Sequence, residues 1–177
     1  GTVVILALST FIVKLASKIG KKELSMIGCF ISAASFILLF IIHTHNVWVW
    51  VGLIIVATIG TSMFNMVIWA MITDVIDESE VQTGVRQDGT IYSVYSFARK
   101  LGQACSSGLS GALLSIIGYT SVTAFDPKVV DGIYNITCLV PAGGMILLLL
   151  ALCFLYPLNK KRVEENAEKL RIKRNEK

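Results

Sequence analysis

The chain has 177 residues, of which 54% are hydrophobic and 16% charged, where soluble domains carry roughly a quarter charged residues. Its net charge of +4 hides a strong segregation: eight of the sixteen basic residues occupy the last nineteen positions, and Lys14, Lys18, Lys21 and Lys22 form a second group. No stacking aromatics accompany these clusters, which argues against a nucleic-acid partner, and the low charge elsewhere places the chain in the membrane class.

Spanning a bilayer takes about 20 apolar residues, and five stretches meet or approach that length. They cover about 1–17, 24–42, 47–72, 90–118 and 133–156, followed by a basic tail over 159–177. Gly1 opens directly into GTVVILALSTFIV, which reads as the inside of a helix and not as a signal peptide. The expectation is therefore a C-terminal piece of a longer polypeptide, all-α and polytopic. In the fifth stretch Pro141 and Gly143-Gly144 predict a kink that neighbouring helices can absorb.

The connectors set an orientation. Segments 16–23 and 73–89 and the tail must share one side, and they hold thirteen Lys and Arg when Lys14 is included; the other side has only Lys128. The positive-inside rule puts the first group, and so the C-terminus, in the cytoplasm of a multi-pass cell-membrane protein in contact with lipid. Segment 73–89 (TDVIDESEVQTGVRQDG) reads as an acidic loop around one arginine. Trp48, Trp50, Tyr119 and Tyr156 near the ends of spans fit an interfacial aromatic belt.

Cys29, Cys105, Cys138 and Cys153 all fall in apolar stretches without metal-ligand spacing, so they read as buried thiols. His43 and His45 read as loop residues of the short external turn. Nothing resembles a nucleophile–base pair, a phosphate loop or a metal site, so neither an enzyme nor a cofactor is expected.

The fourth stretch carries Arg99 and Lys100 in its middle. At about 100° per residue, Ser93, Ser96, Lys100, Gln103, Ser107 and Ser110 share one sector of a helix. Lys100 lies about 15 Å into the span, where a lysine costs at least about 2.5–3.5 kcal/mol. Snorkelling is the bland explanation, and Arg99 at the edge of the sector suits it better. The polar companions of Lys100 favour an aqueous cavity. In the third stretch Thr58, Ser62, Asn65 and Trp69 fall on one helix face, with Thr61 beside them. Interhelical hydrogen bonding and contact with a polyol are both open for them, since amides and hydroxyls beside an indole suit a sugar. Asp74, Asp77, Glu80, Arg86 and Asp88 read either as a solvated loop or as a cytoplasmic gate whose ion pairs switch between states.

Residues 74–104, DVIDESEVQTGVRQDGTIYSVYSFARKLGQA, carry the pattern D-x-x-D-x-x-E, G-x-R-x-D-G, then Y-S and F-x-x-K-x-G-x-A. This resembles the signature of the glycoside–pentoside–hexuronide:cation symporters, the melibiose-permease-like branch of the major facilitator superfamily. The resemblance implies that the five stretches are part of the C-terminal six-helix bundle of a twelve-helix fold, with sugar and cation bound between two bundles by alternating access. It implies Lys100 at the sugar and coupling-cation region, with Ser96, Thr61 and Asn65 lining the same cavity; Trp69, one turn from Asn65, and Gln103, in the sector of Lys100, are expected substrate contacts from their helical spacing. Asn65 stands where some relatives carry an aromatic residue. The coupling cation, Na⁺ or H⁺, would find its main acidic ligands on the missing N-terminal bundle. Two other classes stay open: a small multi-pass scaffold or assembly subunit, and a facilitator-type exporter.

Overall fold

The computed structural model describes residue 12 and residues 14–44 and 46–175. Most of the first expected span and His45 lie outside the described residues. Residues 14–19 are helical, and five longer helices follow: α1 (Lys21–Ile42), α2 (Val47–Thr83), α3 (Asp88–Ile116), α4 (Pro127–Phe154) and α5 (Lys160–Asn175). Among the described residues the architecture is all-α.

Local chemistry explains where these helices start and stop. Asn46 caps α2, its Oδ1 accepting from the Trp48 amide at 3.0 Å. Pro127 opens α4, where its fixed φ and missing N–H are harmless. Gly84 ends α2 in the left-handed region at φ 78, and its N–H donates to the Glu80 carbonyl at 2.9 Å. Asn159 precedes α5 and accepts from the Arg162 amide at 3.0 Å.

Three of the helices, α1, α2 and α4, are long and apolar enough to cross a membrane. At 29 residues α3 has the length but is more polar. The acidic segment expected as a loop over 73–89 is instead mostly helix, since α2 runs unbroken to Thr83. Glutamate and glutamine are good helix formers, and no proline or glycine intervenes between Gly60 and Gly84. At 1.5 Å per residue α2 is about 55 Å long, well beyond a hydrocarbon core of about 30 Å.

Helix α1 packs between α2 and α4. The approach of α1 to α2 is made by glycines: a Cβ added at Gly60 would lie 2.5 Å from the Gly28 carbonyl oxygen and 2.9 Å from the Ser32 nitrogen. Ile12, Leu24, Cys29, Val67, Met71 and Leu152 form the core beside this crossing. At the far end of α1 the Tyr134 hydroxyl donates to the Leu39 carbonyl at 2.8 Å, and His43 lies 3.6 Å from Asp131. Helix α3 buries no residue at all. The cysteine expectation fails on that account for Cys105, which is exposed on α3, and Cys153 is exposed near the end of α4; Cys29 and Cys138 are buried. Large apolar side chains cover much of the outer surface, among them Phe30, Ile41, Leu147 and Phe154.

The tail is the helix α5, laid along the extension of α2. Arg162 and Asn166 both donate to the Glu78 carboxylate, Arg174 reaches Glu80 at 3.4 Å, and Lys173 reaches the Gly84 carbonyl at 3.3 Å. Leu170 is buried. The hydrogen bond from Arg162 above all holds the Glu78 carboxyl below the usual glutamate range. A depressed folded-state pKa means that the contribution is complete above the ordinary value of about 4.3 and is lost as pH falls through the lower one. Docking of α5 is therefore expected to be unchanged between pH 7 and 5. Glu78→Gln removes the charge and should speed amide hydrogen exchange in residues 160–175 by about 10-fold at pH 7. Exchange unchanged by this substitution would mean that the apolar contacts of α5 alone hold it.

Candidate functional site

Helices α2 and α3 diverge around a cleft of about 640 Å³. From α2, Asn65 and Trp69 line it one turn apart, above Phe64 and Ile68; from α3 come Tyr95, Ala98 and Arg99. Tyr95 meets Trp69 edge-on with ring centres 5.3 Å apart, and the Tyr92 ring lies 6.4 Å from the same indole. The Arg99 guanidinium carbon stands 5.8 Å from the Trp69 ring centre. Residues 92, 95 and 99 follow the i, i+3, i+7 rule, so one face of α3 delivers two phenol rings and a cation to a single indole.

The residues picked out from sequence separate into three groups. Asn65 and Trp69 share the cleft. Thr61 turns to α1, its hydroxyl 3.1 Å from that of Ser32 while also donating to the Ala57 carbonyl at 3.0 Å. That is the interhelical arrangement; Ser62 is buried but bonds within α2, donating to the Thr58 carbonyl at 2.7 Å. Ser96, Lys100 and Gln103 form an exposed stripe of α3 turned about 40–100° round from Arg99 and do not line the cleft. Among the described residues neither Lys100 nor Arg99 has a carboxylate partner. Tyr92, Tyr95 and Arg99 were not picked out as a group from sequence. Their i, i+3, i+7 spacing was the available signal.

The acidic cluster is likewise divided. Arg86 pairs with Asp77 at 2.8 Å, Glu80 at 3.0 Å and Asp88 at 2.9 Å, bridging the break between α2 and α3. Asp74 does not join it: it is buried against Lys21 at 2.6 Å, at the start of α1. The Glu80 carboxyl is held below the usual range, chiefly by the hydrogen bond from Arg86. Because Arg174 of α5 reaches the same carboxylate, the tail and the α2–α3 break share Glu80.

Among the described residues, all-helical architecture, three membrane-length apolar helices and a largely apolar cleft carrying an amide, a phenol and a guanidinium define a polytopic membrane bundle. Residues 1–160 match the MFS/sugar transport protein family, and the chain belongs to that family. It is 38% identical over 152 residues to the uncharacterized symporter YjmB of Bacillus subtilis, covering 86% of this chain and 33% of that protein. It is 33% identical to the glucuronide carrier protein homolog of Escherichia coli, over 85% of this chain and 33% of the relative. The uncharacterized symporter YnaJ of Bacillus subtilis is 27% identical over 96% of this chain and 36% of its own length. The chain thus spans about a third of the length of these relatives. It is a membrane protein of a transporter family and not an enzyme.

Proposed function

We propose that this chain forms the C-terminal part of a secondary active transporter that carries a glycoside, pentoside or hexuronide together with a cation by alternating access. The observation that carries the reading is the cleft between α2 and α3, where an amide, an indole and a phenol ring meet at Asn65, Trp69 and Tyr95. Sugars need hydrogen-bond donors and acceptors beside an apolar stacking surface, and these three supply both. The names of the relatives, two symporters and a glucuronide carrier homolog, point the same way.

In this reading the Lys100 stripe, with Ser96 and Gln103, faces the N-terminal bundle, which supplies the acidic ligands for Na⁺ or H⁺. The segregation of Lys and Arg supports a cytoplasmic position for the end bearing Lys21, Arg86 and α5. Arg86 with Asp77, Glu80 and Asp88 then forms a cytoplasmic gate between α2 and α3, backed by Lys21 and Asp74.

The test is uptake by the full-length transporter reconstituted in liposomes, with glucosides, galactosides, xylosides and glucuronides under an imposed Na⁺ or H⁺ gradient. One gradient should drive accumulation of one sugar class above its equilibrium level. Equilibration without accumulation under both gradients would retire the symport mechanism, and no uptake of any sugar would retire the substrate class.

A further inference from the structure

Glu80 stands where the tail meets the break between α2 and α3, and two guanidinium groups converge on one of its oxygens. Arg86 Nη1 lies 3.0 Å from Oε2, and Arg174 Nη2 lies 3.4 Å from the same atom. Arg86 also pairs with Asp77 and Asp88, whereas Glu80 is the one carboxylate within ion-pair distance of Arg174 among the described residues. Beside them Lys173 donates to the carbonyl of Gly84, the residue whose positive φ of 78 turns the chain out of α2. The rest of α5 holds Arg174 at this place. Lys160 donates to the Lys18 carbonyl at 2.8 Å, Arg162 and Asn166 donate to Glu78, and Leu170 is buried. The three carboxylates around Arg86 are not equivalent. The side chains of Asp77 and Asp88 are 29% and 49% exposed, so water replaces a lost partner, but that of Glu80 is 13% exposed. An enclosed carboxylate left without a partner is costly.

We propose that α5 is a strap that supplies a replacement partner at the gate: when Arg86 withdraws, Arg174 closes onto Glu80, so the docked tail favours opening of the α2–α3 break and does not hold it shut. This rests on the gate reading above and adds the regulation of that gate by the tail. With Arg174 present, Glu80 keeps a cation whether Arg86 is in place or not. Without it, Glu80 is paired only while Arg86 stays, so the loss falls mainly on the open state. Linkage makes the effect reciprocal: opening of the break strengthens docking of the end of α5.

The experiment follows opening of the gate by thiol labelling. A cysteine at Ala98, which lines the cleft, is placed in the full-length transporter made otherwise cysteine-free, and a membrane-impermeant maleimide is applied to inside-out vesicles. Arg174→Gln should slow labelling by about 5- to 10-fold, between the ranges for an exposed ion pair and for an enclosed hydrogen bond to a charged group. Arg174→Lys keeps the charge and should retain most of the rate. Arg174 is 60% exposed, so neither change disturbs packing. In an Arg86→Gln background labelling should be fast, and adding Arg174→Gln should alter it by less than about 2-fold, because Glu80 then has the same partners in both states. A tail that only stabilised the fold would slow both backgrounds alike, and that result would overturn the proposal. Labelling unchanged or faster in Arg174→Gln, at matched membrane abundance, would overturn it too, the faster rate marking α5 as a brake. Slow labelling in Arg86→Gln alone would instead retire the gate reading, and the strap with it.

Discussion

Lys100→Ala in the full-length transporter is expected to lower cation-driven sugar uptake by about 100-fold or more, while the protein still reaches the membrane in normal amount. The physical argument is that nothing among the described residues stabilises this charge: Lys100 is exposed on α3 and has no acidic partner. Placing it in the bilayer costs at least about 2.5–3.5 kcal/mol. Removing it should therefore make insertion easier, and an effect on transport cannot come from lost folding. Lys100→Arg keeps the charge but replaces a compact ammonium by a broad fork, so it should recover little of the activity. Initial rates at matched surface abundance check both variants. Uptake close to wild type in Lys100→Ala would assign the side chain to snorkelling along α3, and the coupling role would pass to other groups.

Gly60→Ala should disrupt the bundle, although the same change two turns earlier should not. An added Cβ at Gly60 meets the Gly28 carbonyl oxygen at 2.5 Å and the backbone nitrogen of Ser32 at 2.9 Å. Both are backbone atoms of α1, so the clash is relieved only by moving one helix off the other. The Ser32–Thr61 hydroxyl contact of 3.1 Å lies beside that crossing and would open with it. Overpacking of this kind costs about 1–3 kcal/mol, and Gly28→Ala should behave alike, since its Cβ would meet the Gly60 oxygen at 2.5 Å. At Gly52 nothing lies within 4 Å, and alanine there should be neutral or stabilising by up to about 1 kcal/mol through helix propensity. Thermal unfolding of the purified protein in detergent measures all three. If Gly52→Ala and Gly60→Ala shift the midpoint equally, then the close approach of α1 and α2 is not what holds them.

Apolar run length located the stretches that contain α1, α2, α3 and α4, whereas the ends set by Asn46, Gly84 and Pro127 were not read from it, α4 opening at Pro127 and not at 133. The motif from Asp74 to Ala104 carried the family. The continuation of α2 to Thr83 was missed because hydropathy marks where a helix leaves the lipid, not where it stops, and charged residues extend helices well. Pairing across the fold was out of reach as well. Asp74 finds Lys21 and Glu78 finds Arg162 from distant parts of the chain, and no local pattern distinguishes these carboxylates from Asp77 or Glu80, which meet Arg86. The sharpest difference lies on α3. Spacing placed Ser96, Lys100 and Gln103 in one sector with Arg99 at its edge and did not group the tyrosines with Arg99, because the rotation of a helix about its own axis is set only by what packs beside it. The tertiary structure turns the tyrosine–arginine face to Trp69 and leaves Lys100 uncovered. Sequence alone thus determined which chemistry α3 carries, and the packing of α3 against α2 decided which of its two cations enters the cleft.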